Sequence, residues 1–166
     1  ESLENWWGKE DVRNATLTYR DFASGVSFSR DITIKPQGTS SLAYDKKNFT
    51  ISIQGEAVEM NSNWGAQSKY CLKANYIDPT QAGNVVSARL AARMNAAYGL
   101  YEETPNHGLI DGFPVWVILN GKDAGLYTWN IPKAEWMFGM DKDNENHIVL
   151  CCEDWTDGCL FRNDYY

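Results

Sequence analysis

Positive charge is scarce in this chain of 166 residues: 15 Lys and Arg stand against 22 Asp and Glu, a formal net charge of −7. With a pI near 4.8, the balance argues against a basic face for nucleic acid and against attraction to an anionic membrane surface. Histidine is rarer still, with only His107 and His147. The cysteines Cys71, Cys151, Cys152 and Cys159 include no pair at CxxC spacing, so the usual zinc-binding patterns are missing. They read as reduced, partly buried thiols. No apolar run is long enough to span a bilayer, and no leader or lipidation signature is visible, so membrane insertion is not expected. The glycine-rich nucleotide fingerprints GxxxxGK[ST] and GxGxxG are absent as well.

What the chain does hold is aromatic: seven Trp, nine Tyr and six Phe make up 13% of it. That content suits a β-rich core or a sugar-binding surface. A chain of this size buries roughly 70% of its unfolded surface and needs no staple to fold. Residues 1–14 are polar around Trp6-Trp7 and read as a linker or docking arm, leaving 15–166 as one domain. Segments 15–22, 26–36, 47–53 and 69–76 alternate apolar and polar residues at period two and are expected to be strands. The turn-rich loop 54–68 between them is expected to project.

A helix is expected after Asp78 as N-cap and Pro79 at its first position, closing at Gly99. Val86, Leu90, Met94 and Ala97 recur at three- and four-residue steps as its apolar stripe, with Arg89 and Arg93 at the edge, placed to snorkel or pair with acids rather than to contact a ligand. Asn120-Gly121 supplies the positive φ angles of a tight hairpin across 113–129. Trp116 and Trp129 lie in its strands and read as core. Pro132 opens a short helix over 132–140, and 147–152 reads as a buried strand. The order of strands, helix, hairpin and small helix predicts an α+β fold with a mostly antiparallel sheet and one main helix.

The chemistry concentrates in Gln37-Gly38-Thr39-Ser40-Ser41, a polar loop between two strands with Lys46-Lys47 opening the second. Glycine allows close backbone approach, Ser40 and Ser41 carry hydroxyls, and a lysine supplies charge, which together can cradle a phosphate. Neighbouring strand residues point to opposite faces, so only one of the two lysines can reach inward. Taken by itself, the stretch reads first as a plain β-loop-β connection.

Three blocks in order, "KPQGTSSLAYDKKNFTISI", "YCLKANYIDPTQAGNVVSARLAARM" and "VWVILNGKDAGLYTW", resemble the CotH family of spore-coat, kinase-like proteins across residues 30–135. The resemblance implies the N-terminal part of an atypical protein-kinase fold. It further implies Mg-ATP as cofactor, Gly38, Ser40 and Ser41 as the phosphate-facing loop and Lys47 as the ATP-contacting lysine. The hairpin 113–129 would lead to the inter-lobe link. Three positions depart from the family: Gln37 replaces the loop arginine, Gly83 replaces the arginine before Asn84, and Asn130 stands near the usual glutamate. The family's catalytic and metal-binding acids lie in a later segment, so the domain is expected to be incomplete at its C-terminal end; Asp154, Asp157 and Asp164 do not assemble the set. The favoured expectation is a non-catalytic CotH-like module of a larger assembly, such as a phage tail or baseplate protein or a surface coat, located on a virion or extracellular surface. Its partners would be other protein subunits, with surface polysaccharide as a further one, through Trp6, Trp7, Trp64 and Trp136. An ATP-dependent serine kinase and a carbohydrate-binding module are the alternatives.

Overall fold

The computed structural model describes residues 8–141 and 143–148. The period-two segments become strands because alternation gives each one a face for the core and a face for water. β1 (Arg13–Arg20), β2 (Ser27–Gln37) and β3 (Asn48–Ile53) run as an antiparallel meander. β4 (Val58–Glu59) pairs with β5 (Ala66–Gln67), and β6 (Lys69–Lys73) returns beside β3. Helix α1 (Gly83–Ala97) follows, then the hairpin of β7 (Gly112–Leu119) and β8 (Lys122–Asn130). Among the described residues the main sheet has six strands in the order β1-β2-β3-β6-β8-β7, each pair antiparallel. The molecule is therefore α+β, as expected from the order of its elements.

One sheet face is apolar. Ile32, Ile34, Phe49, Ile51, Tyr70, Leu72, Tyr127 and Trp129 are all buried in one cluster. The sheet curls around them, so the ring of Tyr19 on edge strand β1 lies 6.4 Å from that of Trp129 on β8. The loop 54–68 does not project. It folds back and seats Trp64 in the core at 2% exposure, stacked 5.7 Å from Phe113. The indole N–H donates to Asp111 Oδ2 at 3.3 Å. Trp64 is thus no docking residue; with Val58, also buried, it gives this turn-rich loop an apolar reason to close inward. Trp136 is partly buried against the same core. Trp129 is core as expected, whereas Trp116 is 65% exposed, because β7 is an edge strand and Trp116 lies on its outward face.

The hairpin turns at Asn120 and Gly121 with φ of +50° and +76°, the left-handed pair that a two-residue connection needs. Helix α1 starts four residues later than Pro79, at Gly83. Asp78 still serves its N-terminus from a distance: its Oδ2 accepts the Gly83 N–H at 2.8 Å. The helix ends as expected, with Gly99 at φ +64° and the Leu100 N–H returning to Asn95 O at 2.8 Å. Its inward face is the reverse of the expected one. Ala88 and Ala92 are buried, while Val86, Leu90 and Met94 are 61%, 60% and 55% exposed. Arg89 holds that orientation, with Nε donating to Asp111 Oδ1 at 2.8 Å and a second guanidinium N–H to Gly112 O at 2.8 Å.

Segment 132–140 contains a 3-10 turn, Glu135–Phe138, which Gly139 ends at φ +65°. The expected strand 147–152 lies largely outside the described residues, as do Trp6, Trp7, Cys151, Cys152, Cys159, Asp154, Asp157 and Asp164. Among the described residues no helix is long and apolar enough to cross a membrane.

Candidate functional site

The polar face of the sheet carries the candidate site. Pairing aligns Lys35 with Thr50, Thr50 with Cys71, Cys71 with Asn130 and Asn130 with Gly112. This one ladder row crosses five strands. A cavity of about 320 Å³ lies on it, floored by Lys35, Gln37, Thr50, Lys69 and Cys71 and walled by the segment from Pro132 to Glu135 with Phe138. Three of its lining residues are lysines (Lys35, Lys69 and Lys133) and only one is an acid, Glu135. In a chain of net charge −7 such a local excess of cations favours an anionic ligand.

At one end of the cavity Gln37 leads into the loop singled out in the sequence. Gly38 sits at φ +118°, which the backbone reserves for glycine, and a Cβ there would lie 1.9 Å from Ser41 Oγ and displace that hydroxyl. Ser41 Oγ donates to Gln37 O at 3.3 Å and accepts from Asn48 Nδ2 at 3.2 Å. Ser40, exposed, opens the 3-10 turn Ser40–Ala43. Gly38, Ser40 and Ser41 therefore share one tight turn beside the cavity.

Lys46 and Lys47 go elsewhere. The Lys47 ammonium donates to the carbonyls of Leu42 and Tyr44 on its own turn. The Lys46 ammonium donates to Leu126 O and stands 4.3 Å from the centre of the Tyr127 ring. Desolvation pushes the Lys46 pKa down, against the pull of Asp123. A cation at the loop's entry comes from β6 instead: Lys73 Nζ donates to Gln37 Oε1 at 2.7 Å. Gln37 thus receives a cation from another strand.

Lys35, Lys69 and Lys73 were not singled out from the sequence, although a signal was there. In "KYCLK" the two lysines flank Cys71 at steps of two, which puts all three on one face. Burial raises the Cys71 thiol pKa despite the nearby Lys73 ammonium, so this thiol stays protonated and inert at neutral pH. Asn130 is buried on the same row, and its Oδ1 has no hydrogen-bond partner among the described residues. Asn84 donates to Asn75 Oδ1 at 3.1 Å. Gly83 admits the Asp78 carboxylate to within 2.8 Å of where a Cβ would be.

Compared with protein-family models, curated proteins and solved structures, the chain matches none.

Proposed function

We propose that this chain is a non-catalytic, CotH-like binding module that contributes one docking surface to a larger assembly, such as a phage tail or baseplate protein or a surface coat. The observation that carries the reading is the outward face of α1. Val86, Leu90, Met94 and Tyr98, exposed at 55–77%, follow one another at four-residue steps, so they form a single stripe. Contiguous exposed apolar stripes mark interaction surfaces. Arg93 lies beside it, and α1 itself carries no acid, which fits a partner with an acidic rim. The test is amide hydrogen exchange on α1 in the isolated chain and in the assembled particle. Strong protection that appears only in the particle is expected; equal exchange in both overturns the reading.

A second reading, the Mg-ATP-dependent kinase of the same family resemblance, draws on a different observation. The lysine-lined cavity lies between the turn holding Gly38, Ser40 and Ser41 and the segment that follows β8, where the resemblance puts the inter-lobe link. In this reading Lys73 contacts phosphate more directly than Lys47 does, and the sheet with α1 stands for the N-terminal part of an atypical kinase. Equilibrium titration with Mg-ATP decides it: saturable binding, weakened by about tenfold or more in Lys73→Ala and less in Lys47→Ala, supports it. Binding that is absent, or indifferent to Lys73, counts against it.

A further inference from the structure

We infer that the seam between the two edge strands is a glycan site, formed by Phe22, Trp116, Tyr19 and Arg20. The inference is independent of α1 and of the lysine-lined cavity. β1 and β7 are the two ends of the six-stranded order, and the curl that brings Tyr19 to Trp129 also brings these edges together. A cleft of about 400 Å³ opens along the join, lined by the β1 end and its turn on one side and by Pro114, Val115 and Trp116 on the other. Its two outer walls are apolar rings in water, Phe22 at 94% exposure and Trp116 at 65%.

Their exposure is built into the fold. Phe22 belongs to the turn between β1 and β2, where Asp21 Oδ1 accepts the N–H groups of Ala23 at 2.8 Å and Ser24 at 3.2 Å. The Ser24 hydroxyl donates to Asp21 Oδ2 at 2.6 Å, and the Asp21 and Gly25 N–H groups close the turn on Val26 O and Asp21 O. A turn held this firmly keeps its ring outward. Tyr19 forms the floor and is itself fixed by stacking on Phe28 at 5.3 Å. Trp116 lies in the hydrogen-bonded body of β7, opposite Leu126.

Rigid aromatic faces with a few polar groups at the rim are the features of a site for a ligand that has one apolar face and a hydroxylated edge. A pyranose ring is such a ligand: its C–H face stacks on Trp116 or Phe22, and its hydroxyls or a uronate carboxylate meet the donors of Arg20. The competing occupant of an open sheet edge is an extended peptide added as a strand. Pro114 disfavours it, since proline leaves a gap in the N–H row of β7.

The test uses the whole chain and follows tryptophan emission, with isothermal titration calorimetry for Trp116→Ala, which removes the reporting ring. Oligosaccharides of glucose, mannose and N-acetylglucosamine and an oligo-uronate serve as probes. At least one probe is expected to shift the emission saturably. Trp116→Ala and Phe22→Ala should each weaken that binding by about tenfold or more, and Arg20→Ala should weaken an oligo-uronate most. Because Phe22 is almost wholly exposed, its variant keeps the fold and isolates the ligand contact. Leu90→Glu, on the outward face of α1, is expected to leave glycan binding unchanged, so loss of the α1 reading and loss of this one are told apart. The inference falls if no probe saturates, if both ring variants bind as the parent does, or if only unstructured peptides bind at the seam.

Discussion

Gly112 shows how much a single hydrogen atom matters at the start of β7. A Cβ at this position would lie 2.5 Å from Trp129 O and 2.9 Å from Thr128 Cγ2. The first obstacle is backbone in the neighbouring strand and cannot rotate away. Gly112→Ala is therefore expected to lower stability by about 1–3 kcal/mol, read as an earlier urea midpoint with an unchanged slope. The same scale shows why the lysines were harder to read. Lys46 and Lys47 attract notice because they are adjacent, but which carbonyls come within reach of each depends on Leu42, Tyr44 and Leu126, and no spacing encodes that. Lys69 and Lys73 were legible through parity, since strand alternation alone puts them on the polar face with Cys71. Trp64 and Trp116 exchanged their expected places for a related reason. Side-chain size says that a residue can fill a core, and topology decides whether its strand is an edge.

In helix α1 the spacing was right and the direction was not. Period 3.6 identifies residues that share a face, and both Val86-Leu90-Met94 and Ala88-Ala92 satisfy it. Which row turns inward was decided outside the helix, by the Arg89–Asp111 ion pair at 2.8 Å. The N-terminus is set from Asp78, whose hydrogen bonds to the Thr80 hydroxyl and then to the Gly83 N–H lower its pKa below the ordinary aspartate value. A carboxylate depressed in the folded state contributes stability above its unfolded pKa and loses that contribution as pH falls through the folded one. Acidification below about pH 4 is thus expected to fray the start of α1, seen as early loss of the amide signals of residues 83–86. Asp78→Asn should abolish this pH dependence, and an unaltered acid profile in that variant would remove Asp78 as the cause.

At the scale of the whole molecule, the curled sheet makes the interior strongly apolar and its buried phenols reluctant to ionise. Desolvation pushes both Tyr70 and Tyr127 up to about 12. The unfolded chain releases these protons near pH 10, so above that pH the unfolded state binds fewer protons than the native one. Stability should therefore fall as pH rises from about 10 to about 12. Absorbance at the phenolate band should show a late, cooperative step from the buried pair. Titration of all the tyrosines together near pH 10 would contradict the buried placement. The α+β class was legible because alternation and the Asn120-Gly121 turn act locally. The closure of the sheet was not, because it joins residues far apart in the chain.

One contact gives that distance a temporal meaning. Lys46 reaches Leu126 across 80 positions of sequence, and in doing so it fastens the turn behind Gly38 to β8. The strands β1, β2 and β3 meet through short connections, which close quickly, whereas β8 follows α1 and β7 in the chain. Contacts between distant positions form late because a long loop must first be closed. The turn that holds Gly38 is consequently expected to acquire its native shape in the last stage of assembly, after the meander that contains it. On a ribosome, the meander would emerge and pair while this corner of the molecule was still waiting for its anchor.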